Sequence, residues 1–98
     1  MIDWCNGWSP VQDEAERRSF ENELSREIET NREHPLYGLD YQVVGRLLGE
    51  DDFILRLGDG HQYAHVHLTW NREDRPLWPY CEIIGDESAV NRFLREWS

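Results

Sequence analysis

The chain has 98 residues, a net charge of −10, twenty Asp and Glu against ten Arg, and no Lys. Without lysine there is no Schiff-base nucleophile, no Walker-type phosphate loop and no lysine general base. The acidic balance argues against a binder of nucleic acid or of anionic membrane, which draw affinity from clustered Lys and Arg; it suits a basic protein partner.

One domain spanning residues 1–98 is expected, able to bury roughly 60–65% of its unfolded surface around a single core. Five Trp, four Tyr and three Phe raise the area each core position can bury. The acids are spread evenly: residues 9–34 hold eight carboxylates against four Arg, and residues 35–85 hold the same numbers. No stretch approaches the roughly 18 apolar residues of a membrane span. The opening MIDWCNGWSP has neither the basic nor the apolar part of a signal peptide, so a cytoplasmic protein is expected, with Cys5 and Cys81 as free thiols. No cofactor motif is present, and no cofactor is expected.

Residues 1–8 form a lead segment whose Trp4 and Trp8 can dock on a core. Ser9-Pro10, with Gln12 following, predicts a helix start over residues 10–32. Phe20, Leu24 and Ile28 supply its narrow apolar stripe, and it ends before His34-Pro35. Leu36 to Asp40 connect it to a strand over 41–48. Gly49 to Asp52 turn the chain into a second strand over 53–57. Gly58-Asp59-Gly60 is the strongest local signal, since Asp-Gly suits a tight hairpin turn. The third strand covers 62–70, residues 71–79 form a charged, proline-bearing loop, and 80–84 is a fourth strand. Asp86 then caps a final helix whose Val90, Phe93, Leu94 and Trp97 match the helical template. The expected architecture is α+β, a four-stranded antiparallel meander in the order α-β-β-β-β-α. Both helices are expected on one face, leaving the other partly open.

In QYAHVHLTW a period of two places Ala64, Val66, Leu68 and Trp70 on one face, toward the helices. Tyr63, His65, His67 and Thr69 share the other. The two imidazoles then admit a catalytic or pH-sensing role and two others. They can be a semi-exposed pair bonded to Thr69, Tyr63 or nearby carboxylates, or two ligands of a metal completed by Glu82 or Cys81 from the fourth strand. His34 at a helix C-terminus is accounted for by the dipole. Gly58 to Gly60 lack the helix a phosphate loop needs, and Glu50-Asp51-Asp52 lack the spacing of a calcium loop. No nucleophile elbow is recognisable. The loop holds Arg72, Arg75 and a Trp78 set between two prolines, the composition of an interface anchor.

His34-Pro35-Leu36-Tyr37-Gly38 followed by Val66-His67-Leu68-Thr69-Trp70 resembles a group of small uncharacterised bacterial proteins with HPLYG and VHLTW segments around a similar hairpin. The resemblance covers residues 34–70 and implies a bacterial, stand-alone domain; a shared site would include His34, Tyr37, His67 and Trp70. No activity comes with it. The expected function is a non-enzymatic interaction module, inhibitor- or immunity-like in one form. It would engage a basic protein through the open sheet face and the 71–79 loop, and the open face would also suit a homodimer. The alternative is a metal-binding protein or metal-dependent enzyme using His65, His67 and Glu82.

Overall fold

A run such as Phe53-Ile54-Leu55, with no polar residue between large apolar ones, fits a strand covered on both sides. The computed structural model, which describes residues 1–29, 31–58, 60–69 and 79–97, bears this out: all three side chains are at most 1% exposed. The elements are β1 (Trp8–Pro10), α1 (Glu14–Ile28), β2 (Tyr41–Leu47), β3 (Asp52–Leu57), β4 (Gln62–His67), β5 (Tyr80–Gly85) and α2 (Glu87–Glu96). The strands form one antiparallel meander in the order β1-β2-β3-β4-β5.

Two expectations are corrected. The sheet has five strands, because Trp8–Pro10 pairs with Leu47–Gly45 where a helix start was expected. Proline is at home on an edge strand, having no N–H to lose. The helix opens later, at Asp13, whose carboxylate accepts the Glu16 N–H at 2.9 Å. The helices also lie on opposite faces. On one, Leu24 and Ile28 of α1 pack with Val43, Phe53, Leu55, Ala64, Val66 and Leu68. On the other, Val90 and Leu94 of α2 pack with Trp8, Leu47, Ile54 and Tyr63. The face expected to stand open therefore carries α2, and with it the lead segment. Tyr63, assigned to an open binding face, is only 4% exposed.

The α2 face depends on one missing side chain. Between Val43 and Gly45 the β2–β3 register shifts by a residue, and beyond this bulge the strand turns Gly45 toward α2. The Trp4 indole fills the space a side chain there would take: a Cβ on Gly45 would stand 2.1 Å from it. The last helix follows expectation, with Asp86 accepting the Ala89 N–H at 3.0 Å. Among the described residues no helix is long and apolar enough to cross a membrane.

Gly45→Ala is expected to displace Trp4 and cost about 1–3 kcal/mol, the usual penalty of overpacking. In urea unfolding, the cost measured in a Trp4→Ala background should fall well below that in the wild type, since the clash is then gone.

Candidate functional site

Buried polar side chains need partners inside the protein, and here they gather at one end of the sheet. Glu27, Asn31, His34, Asp52 and His65 are the buried polar side chains among the described residues. The contacts of Glu27, His34, Asp52 and His65 fall near the residues that flank the 70–78 connection between β4 and β5.

On the α1 side two contacts hold those ends. Glu27, in the last turn of α1 and 1% exposed, accepts both the N–H and the hydroxyl of Thr69 at 2.9 Å. His34, 3% exposed, takes the Leu36 N–H on Nδ1 at 3.0 Å, so its proton sits on Nε2 and is donated to the Pro79 carbonyl at 2.6 Å. Burial holds the His34 pKa below its ordinary value, partly offset by that carbonyl. Both nitrogens are committed within the fold, so His34 acts here as a tie between the connector and Pro79.

On the α2 side a single carboxylate serves two imidazoles. Asp52 opens β3 directly opposite His67. Its Oδ1 accepts from His67 Nδ1 at 2.7 Å, and its Oδ2 from His65 Nε2 at 2.6 Å. His65 is enclosed by Trp8, Phe93, Trp97 and Tyr80, with ring centroids 5.3–5.8 Å away. Its Nδ1 is buried and finds no hydrogen-bond partner among the described residues, as is true of the Trp8 indole N–H. His67 differs: its side chain is 42% exposed. With Nδ1–H donated to Asp52, Nε2 is its remaining ring nitrogen.

The two histidines do share a face, as their spacing implied, but that face lies under α2. The carboxylate that joins them is Asp52, expected in a turn and found at the start of β3. A usable signal existed. The turn expected at Asp59-Gly60 implies Leu57 opposite Gln62 and hence Asp52 opposite His67, the register found, although residue 59 itself lies outside the described residues. Glu27 had no such signal, because a charged residue in a helical stripe reads as surface.

Glu82 is exposed and accepts the Tyr80 hydroxyl at 3.1 Å. Its strand partner is His65, whose Nε2 is already given to Asp52. Among the described residues no three His, Cys, Asp or Glu side chains stand where they could hold a metal ion. Tyr37 is exposed and lies beside the His34 tie, its N–H donated to the His34 carbonyl. Arg72, Arg75, Trp78 and Trp70 lie outside the described residues. Comparison with protein-family models, with curated proteins and with solved structures returns no match.

Two outcomes follow from these contacts. Above the unfolded-state pKa of about 6.5, His34 is neutral in both states and its tie is intact. Below it the unfolded chain takes up the proton first, so stability falls with falling pH until the lowered folded-state pKa is passed. In urea unfolding between pH 7.5 and 5, His34→Leu should therefore be less stable than wild type at the upper end and lose stability less steeply. Asp52→Ala strands the inner nitrogens of two imidazoles and should cost about 1–3 kcal/mol, whereas adding His65→Phe should recover part of it.

Proposed function

We propose that this chain is a small acidic interaction domain, without catalysis of its own, that engages a basic protein partner and acts in an inhibitor- or immunity-like way inside the cell. The observation that carries the reading is the tying of both ends of the 70–78 segment by buried groups, Glu27 to Thr69 and His34 to Pro79. Recognition residues are commonly set on connections whose stems a rigid scaffold fixes. This connection holds Arg72, Arg75 and Trp78, residue types that dominate interface hot spots. The net charge of −10 supplies long-range attraction for a basic partner. The metal reading draws less support, because both imidazoles already give a nitrogen to Asp52.

Immobilised wild type and Trp78→Ala, exposed to extract of the source cells, test the reading. A discrete basic protein should be held by the wild type and released as salt screens the attraction. The Trp78→Ala variant should bind it at least about tenfold more weakly. Identical captures by the two proteins would overturn the reading.

A further inference from the structure

The two edges of the sheet are not equivalent. The β1 edge is three residues long and ends in Pro10, a guarded edge. The β5 edge runs for six residues without proline, and among the described residues no strand pairs with its outer side.

The direction of its free groups follows from one bond. Leu68 N–H donates to the Asp51 carbonyl at 2.9 Å, which makes 51 and 68 a hydrogen-bonded pair in the register Asp52↔His67. Antiparallel ladders alternate, so His65 and His67 turn their backbone groups toward β5. Their partners Glu82 and Tyr80 turn theirs inward to meet them. Cys81 and Ile83 are left with N–H and C=O pointing away from the sheet.

The side chains on that edge are also unlike on the two faces. Toward the α1 side stand Cys81 and Ile83. Ile83 is 47% exposed because α1 lies over β2, at the far side of the sheet. The Cys81 thiol, pushed up to about 11 by burial, is neutral at physiological pH and adds to an apolar strip. Toward the α2 side stand Tyr80, 43% exposed, and Glu82, also exposed. From residue 80 onward the chain has four acids, Glu82, Asp86, Glu87 and Glu96, against Arg92 and Arg95.

We propose that the outer edge of β5 accepts an extended segment of a basic protein as a sixth strand, with apolar residues over Cys81 and Ile83 and Arg or Lys beside Tyr80 and Glu82. The inference rests on the basic-partner reading above and assigns it a place. Main-chain bonds to Cys81 and Ile83 supply affinity, and the two unlike faces supply the alternating preference. An arginine in register with Tyr80 and Glu82 can stack on the ring and pair with the carboxylate. A second copy of this chain is disfavoured as occupant, because each copy carries a charge of −10.

The test uses an eight-residue peptide alternating Arg and Val, its Glu-Val counterpart, and isotope-labelled full chain followed by NMR. With the basic peptide, the Cys81 and Ile83 amides should shift, and their hydrogen exchange should slow by about tenfold or more. Ile83→Pro removes an outward N–H and no ladder bond, so it should fold yet bind the peptide about tenfold more weakly. Ile83→Thr keeps the N–H and should bind within about threefold of wild type. The inference is overturned by any of three results: unmoved Cys81 and Ile83 amides at millimolar basic peptide, equal binding by a folded Ile83→Pro, or equal binding of the acidic peptide. A partner lost with Trp78→Ala but kept by Ile83→Pro would sink the β5 site alone and leave the interaction domain standing.

Discussion

In a sheet covered on both faces, a polar side chain in the middle strands is costly unless it is satisfied from within. Asp52 meets this constraint at the start of β3. It is 8% exposed and accepts one hydrogen bond on each oxygen, from His65 and from His67. The arrangement fixes the register between β3 and β4 more firmly than apolar packing alone. A slip of one residue would turn both imidazoles to the α1 side, away from their acceptor, and would exchange Val66 and Ala64 into their place. The aromatic enclosure of His65 by Trp8, Phe93 and Trp97 then joins β1 and α2 to the same point.

The other buried polar groups work in the same way on the opposite face, at the level of chain connections. Glu27 and His34 belong to α1 and to the stretch that follows it, while their partners Thr69 and Pro79 flank the 70–78 connection. Each tie spans more than forty residues of sequence. Together they couple the exit of one helix to the base of a distant connection. Removing one partner of such a pair costs more than the bond is worth, since the remaining group stays buried and dry.

Much of the fold was legible from local chemistry. The meander of short-linked strands from residue 41 onward and the Asp86-capped amphipathic helix stand where pattern and turn residues placed them. The number of layers was not. Whether His65 faces water or a helix depends on where α2 docks, and a period of two cannot say which of two faces is covered. Phe53-Ile54-Leu55 did carry that information, as a run without alternation, but it is only three residues long. Ser9-Pro10 misled because its signature serves a helix start and a strand edge alike, and the pairing with Gly45–Leu47 decided between them. For the site, the joint presence of His65 and His67 was readable. Asp52 was readable only through the strand register that sets it opposite His67, and Glu27 was hidden because acidic residues are by habit assigned to solvent.

The lead segment meets the last helix at several points. The Met1 ammonium lies 2.6 Å from Glu87, the Asp3 N–H reaches Asn91, and the Asn6 amide reaches the Leu94 carbonyl. These contacts close nearly the whole length of the chain. During synthesis the first Trp residues emerge long before the helix that shelters them, so the α2 layer has no template until translation has passed residue 96. The α1 layer, whose partners lie nearer in sequence, can form beforehand. A growing chain would thus display Trp4 and Trp8 to its surroundings until α2 has been made, a window in which a chaperone or an early-binding ligand could compete for them.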